Sequence, residues 1–202
     1  KKKADYKKVF MVGHIFIFMT VLFPIPIVLK GGLLFAILGV ISIFFAWGYT
    51  GGPFPLAYLG LGEVFVFLFF GLLATLGSYY LYALELNYII SIQAVIIGIL
   101  SCCLISINNY RDRKTDILVN KRTLATRFNE NQNKFFLDLL IFTPYLLALV
   151  LFIFVKLSFV FVLLASGIAH KLHAKIQNHE SPEELNSALA LAGKHLVVFG
   201  VL

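Results

Sequence analysis

Acidic side chains are scarce in this sequence: ten among 202 residues, against 17 lysines and arginines. Charged residues of both signs make up 13% of the chain and apolar residues 60%, whereas a soluble domain is about 25% charged and about 45–50% apolar. That balance excludes a soluble globular domain. Cysteine is nearly absent. Cys102 and Cys103 are neighbours inside an apolar run, where successive side chains on a helix diverge, so they imply no disulfide framework and read as small buried residues. There is no glycine-rich phosphate loop, no Cys-x-x-Cys pair and no serine nucleophile elbow, so none of those motifs points to a function. Mid-span positions hold almost no ionisable group, which argues against an ion- or proton-coupled transporter. The net charge of +7 does not indicate nucleic acid, because the bases fall at the ends of apolar runs rather than on one soluble face.

Seven apolar runs are present, at about 9–29, 32–50, 63–83, 88–107, 135–155, 157–174 and 187–202. Most approach the roughly 20 residues that cross a bilayer. Each span must satisfy its own backbone hydrogen bonds in lipid, so the expected fold is all-α, a multi-span transmembrane helical bundle. Pro24 and Pro26 should end or kink the first helix, and Pro144 is placed to kink the fifth. Gly48-x-x-x-Gly52 is a candidate close helix contact. Counting from Lys1, fourteen of the 17 bases fall in loops on one side. Lys30 and Lys156 lie on the other, and Lys194 lies within the last run. The positive-inside rule places the basic side in the cytoplasm.

The densest charge is Asn108-Asn109-Tyr110-Arg111-Asp112-Arg113-Lys114-Thr115-Asp116, continuing through Lys121-Arg122-Thr123-Leu124 to Arg127. On a helix, Asp112 and Asp116 share a face, with Cβ atoms roughly 6 Å apart. Mg²⁺ would relieve their repulsion, since it takes one or two carboxylates together with waters and substrate phosphates. The surrounding bases, Arg111, Arg113, Lys114, Lys121, Arg122 and Arg127, suit a polyanion. Acids for a metal beside bases for phosphate describe a diphosphate site. The plainer reading is a basic loop serving orientation alone. A second stretch, Gly51–Glu63, has no Lys or Arg although it lies on the basic side. It reads either as a water-excluding cap over a reactive centre or as an ordinary turn with Glu63 favoured at a helix N-terminus. His170 and His173, three residues apart, could share a metal or be interfacial histidines. Ser181 is a candidate cap for the last helix.

Asn-Asn-x-Arg-Asp-x-x-x-Asp followed by Lys-Arg-Thr-Leu-Ala resembles the second aspartate-rich motif of the UbiA superfamily of intramembrane prenyltransferases. The doubled Asn, the Arg before Asp112, and Gly52-Pro53-Phe54-Pro55-Leu56-Ala57-Tyr58 through Glu63 resemble its MenA-type branch. The likeness runs from about residue 7 to the end of the chain. It implies a bundle of about nine spans, seven of them present here as one transmembrane prenyltransferase domain, 1–202. The family's first aspartate-rich motif has no match, so the chain is expected to be the C-terminal two-thirds or so of a longer protein and inactive alone.

The implied reaction is Mg²⁺-dependent transfer of a polyprenyl group from its diphosphate to 1,4-dihydroxy-2-naphthoate, with decarboxylation, in menaquinone biosynthesis. The implied setting is the bacterial cytoplasmic membrane, with the site facing the cytoplasm. Asp112 and Asp116 become the expected metal ligands and, with Asn109, the expected catalytic residues. Asn108, Arg111, Lys114, Lys121 and Arg122 are the candidates for holding diphosphate. Tyr58 and Glu63 are the candidates for the cap and acceptor pocket. Another aromatic acceptor, or a non-enzymatic lipid-binding or transport protein recognising anionic headgroups, are the alternatives.

Overall fold

The computed structural model describes residues 6–50, 56–155 and 157–202. Every regular element among them is helical, as expected from the long apolar runs. The chain divides into two compact units, Lys1–Ala46 and Trp47–Leu202. The first holds α1 (Tyr6–Leu22), α2 (Ile25–Gly31) and most of α3 (Leu33–Thr50). The break after Leu22 falls at Phe23–Pro24, and Pro26 occupies the first turn of α2. There the missing N–H of proline costs nothing, so the two prolines end one helix and open the next.

In the second unit, α4 covers Gly62–Ala83, α5 Tyr88–Arg111, α6 Arg113–Leu118, α7 Leu124–Arg127 and α8 Glu130–Phe154. After a tightly wound stretch at Leu157–Ala165 come α9, Ser166–Gln177, and α10, Leu185–Val201. Each of the seven apolar runs is a helical segment. Four segments, Met11–Gly31, α4, α5 and α8, are long and apolar enough to cross a membrane. The chain is a multi-pass membrane protein.

Helix α5 is the hub: α4, α8 and α10 all pack against it. Its start is fixed by Asn87, whose side-chain oxygen accepts from the Ile90 N–H at 3.0 Å. Its buried face contributes Cys103 and Ile107 to a core with Leu137 and Ile141 of α8, Leu172 of α9 and Ala188 of α10. Both cysteines are buried, unpaired thiols. Large apolar side chains such as Phe70, Tyr82, Leu146 and Phe154 are exposed, as suits helices whose outer solvent is lipid.

Lipid offers no hydrophobic drive for helix association, so close packing of small residues matters more. Gly71 of α4 meets Gly98 of α5 so closely that a Cβ on Gly71 would stand within 2.4 Å of the Gly98 Cα. Gly71 lies in a π-helical turn, Phe67–Leu73, inside α4, and such turns insert a residue and re-aim a helix face. Gly48, by contrast, has open space around its Cβ direction, and Gly52 lies outside the described residues. Pro144 is accommodated within an unbroken α8. Ser181 makes no backbone cap. Its hydroxyl points to the Glu184 carboxylate at 3.5 Å, and a short turn, Pro182–Glu184, precedes α10.

Candidate active site at the end of α5

The polar end of α5 and the segment after it carry the charged motif. The helix stops at Arg111, Asp112 is a joint, and α6 begins at Arg113. The helical bond nevertheless continues across the joint, from the Asp116 N–H to the Asp112 carbonyl at 2.9 Å. Helix α6 ends with Asn120 in the left-handed region, φ 56°. There the Asn120 N–H bonds the Ile117 carbonyl at 3.2 Å and the Lys121 N–H the Asp116 carbonyl at 2.9 Å. This double closure reverses the chain. It brings the Lys121 ammonium to 3.0 Å from Asp116 Oδ2.

Asp112 is gripped from the other side. Arg111 Nε donates to Oδ1 at 2.7 Å and Nη2 to Oδ2 at 2.8 Å. Arg111 Nη2 also reaches Asn108 Oδ1 at 2.8 Å, and Nη1 reaches Asn186 Oδ1 of α10 at 2.8 Å. The hydrogen-bonded guanidinium, aided by the field of Lys121, holds the Asp112 carboxyl below the usual carboxylate range. Lys114 lines an open cleft with Arg111, Asp112 and Asn186.

Glu63 stands at the start of α4 and is buried, 7% exposed. Its Oε1 accepts from Asn109 Nδ2 at 3.0 Å, and Cys102 Sγ donates to its backbone carbonyl at 3.1 Å. Its Oε2 is buried with no hydrogen-bond partner. An orphaned buried carboxylate oxygen is costly, and this one keeps an unused acceptor position at the start of α4. The two asparagines therefore divide their work: Asn108 supports Arg111, and Asn109 holds Glu63.

The Gly52–Pro55 part of the upstream motif lies outside the described residues. The rest of it is tied to the charged segment. The Arg122 N–H donates to the Tyr58 carbonyl at 3.0 Å, and Arg127 Nη2 to the Leu59 carbonyl at 3.0 Å. Gly60 makes this approach possible. Its φ is +79°, and a Cβ there would stand 2.4 Å from the Arg122 carbonyl. The Tyr58 side chain is exposed.

Two residues of this region carry no motif signal. Asn186 has just been described. Asn133, 3% exposed, donates through Nδ2 to the carbonyls of Ala125, Phe128 and Asn129 at 3.1, 3.2 and 3.0 Å. It clamps the return segment onto α8, whose start is fixed by a reciprocal Asn129–Gln132 cap. An asparagine followed three residues later by a glutamine was the available signal for that cap, but nothing local distinguishes Asn133. Away from this site, His173 Nδ1 pairs with Asp138 Oδ1 at 2.6 Å and His170 Nδ1 lies 2.9 Å from the Ser166 carbonyl.

The donor chemistry at Asp112 and Asp116 fits a hard divalent cation, since both offer carboxylate oxygens beside bases suited to phosphate. Among the described residues, no group of three or more His, Cys, Asp or Glu side chains is arranged to hold a metal ion. A cation here would complete its shell with water and substrate oxygens, the habit of Mg²⁺.

Residues 8–195 match the model of the UbiA prenyltransferase family. A 1,4-dihydroxy-2-naphthoate octaprenyltransferase of Mycobacterium leprae is 33% identical over 163 residues, 81% of this chain and 55% of that protein. The enzyme of the same name from Haemophilus influenzae is 33% identical over 159 residues, 77% and 51% of the two chains. That of Mycobacterium tuberculosis is 45% identical over 96 residues, 48% and 33%. The chain spans about half the length of the first two relatives, and less of the third. No solved structure matches it significantly.

Proposed function

The chain belongs to the UbiA prenyltransferase family, and on that premise we propose that the protein carrying it transfers a polyprenyl group from its diphosphate to 1,4-dihydroxy-2-naphthoate. The carboxylate is lost, and the product serves menaquinone synthesis. The observation that carries this reading is the convergence at one end of α5. Asp112, Asp116, Arg111 and Lys121 gather there, and Asn109 links the same helix end to the buried Glu63. Names of relatives from several bacteria support the acceptor.

Asp112 and Asp116 would hold Mg²⁺, which when bound supplies Lewis acidity to the departing diphosphate. The guanidinium and ammonium groups of Arg111, Lys114, Lys121 and Arg122 bind phosphate oxygens and draw charge away from the allylic carbon. Asn108 fixes Arg111 for that task. The electron-rich ring attacks the allylic carbon as its bond to diphosphate oxygen breaks. Glu63 Oε2 takes a hydrogen bond from an acceptor hydroxyl, with Asn109 fixing the carboxylate. The segment around Tyr58, tied down by Arg122 and Arg127, limits water at the reacting carbon. The apolar helices solvate the prenyl tail, and the basic loops face the bacterial cytoplasm.

The test is prenyl transfer by the protein in detergent, with 1,4-dihydroxy-2-naphthoate, a polyprenyl diphosphate and Mg²⁺, with and without EDTA. Asp112→Ala and Asp116→Ala should each abolish product while the protein stays folded. Normal turnover in both variants would refute the site. Product only with a different phenol would replace the acceptor and keep the reaction class.

A further inference from the structure

Arg111 is bonded on three sides. Its fork takes both oxygens of Asp112, and it also reaches Asn108 and, 75 residues away, Asn186. Four of its five N–H groups are therefore spoken for. A planar guanidinium is well shaped for phosphate, which it can grip through two N–H groups. Here that grip is turned on the carboxylate beside it in sequence. The face where Arg111 and Asp112 meet Asn186 opens on a cleft of about 490 Å³ that also exposes Lys114.

A divalent cation at Asp112 would meet the fixed positive charge of Arg111 at the same carboxylate, and like charges at that distance repel. Asn108 and Asn186 are neutral. Asn186 holds Nη1, and Asn108 takes one N–H of Nη2 while Asp112 takes the other, so the guanidinium can leave Asp112 without leaving the site. We infer that Arg111 exchanges partners. It neutralises Asp112 in the empty site and, when cation and diphosphate enter, turns to the diphosphate while Asn186 positions it. Cation binding and diphosphate binding are thereby coupled through one side chain, and coupling of this kind acts equally in both directions. Asn186 is a positioning residue for Arg111, brought from the last helix to the end of α5.

This inference rests on the proposed diphosphate site, and its test separates the two. The probes are Mn²⁺, followed by the paramagnetic signal of the free ion, and inorganic pyrophosphate, followed as retained radiolabel at saturating Mn²⁺. Mn²⁺ binding that disappears in Asp112→Ala defines the site. Arg111→Met should then bind Mn²⁺ alone at least about threefold more tightly than the parent, because a competing positive charge is gone. The same variant should bind pyrophosphate at least about tenfold more weakly. Asn186→Ala should leave Mn²⁺ binding unchanged and weaken only pyrophosphate. An arginine that merely supports the fold would lose both affinities together. Arg111→Lys, which keeps the charge but not the fork, is the second variant. It should hold parental Mn²⁺ affinity while losing pyrophosphate, and it decides the matter if the methionine variant does not fold. Weaker Mn²⁺ binding in Arg111→Met or Arg111→Lys would overturn the exchange and leave the site standing. No Asp112-dependent Mn²⁺ binding at all would remove the site and the exchange with it.

Discussion

Replacing Gly71 by alanine tests how α4 and α5 are held together. The added Cβ would lie 2.4 Å from the Gly98 Cα, 2.9 Å from the Gly98 nitrogen and 3.1 Å from the Ala94 carbonyl oxygen. All three are backbone atoms in a helix and have no rotamer to change. Ordinary contact begins near 3.4 Å, so the helices must part by about 1 Å. Overpacking of this kind costs about 1–3 kcal/mol, which corresponds to roughly 5 °C in Tm for a chain of this size. Gly98→Ala is the internal control. Its Cβ would meet Phe67 Cδ2 at 2.6 Å and Cε2 at 2.8 Å, but a phenyl ring can rotate away, so that variant should lose less. The assay is thermal unfolding in detergent with a thiol-reactive dye, because Cys102 and Cys103 of α5 are buried and become reactive as the bundle opens. The separation should also lengthen the 3.0 Å Glu63–Asn109 bond between the same two helices, so turnover should fall with stability. A Gly71→Ala protein as stable as the parent, or a Gly98→Ala protein that is the less stable of the two, would refute the reasoning.

Gly60→Ala should reduce transfer several-fold, because φ +79° and the 2.4 Å approach to the Arg122 carbonyl leave no room for a methyl group; kinetics at parental Tm or below would show it, and unchanged kinetics would mean that the tie to Arg122 does not matter. Asn133→Ala should lower stability by about 1–3 kcal/mol, because the buried bond to the Ala125 carbonyl and the half-buried one to Phe128 are lost; the same dye assay measures the loss, and a shift under about 2 °C would contradict it. Glu63→Gln keeps an acceptor for Asn109 and removes a carboxylate whose second oxygen has no partner. Stability should hold or rise while the acceptor KM increases; unchanged steady-state constants would take Glu63 out of the site.

The helical layout was legible because one signal, an apolar run near 20 residues, determines each span. The break at Pro24 followed from proline chemistry alone. The π-helical turn and the Gly71–Gly98 contact were not legible. Which of 15 glycines faces a neighbour depends on helix rotation, which spacing alone does not give. The charged motif stood out in the sequence, and the structure sorts its residues at the end of α5 into three bonded groups: Asn108–Arg111–Asp112, Asp116–Lys121, and Asn109 with Glu63. Their pairing was hidden. The Lys121–Asp116 bond depends on the left-handed turn at Asn120, and Asn186 arrives from a helix no spacing rule connects to Asp112. Glu63 could be read as a cap residue or as a helix-start acid, and it does stand in the first turn of α4. Its burial and its bond to Asn109 depend on two helices meeting 46 residues apart in sequence.

The links from Arg122 and Arg127 to the capping segment end on main-chain carbonyls, those of Tyr58 and Leu59. Carbonyls are the same whatever residue bears them. The side chains at these two positions can therefore be exchanged for larger, smaller or more polar ones without unfastening the segment from the charged loop. Only position 60, where backbone conformation is at stake, is denied that latitude. A scaffold fastened in this way lets its exposed surface be redrawn one residue at a time, so if the proposed function holds, positions 58 and 59 are natural starting points for testing acceptor preference.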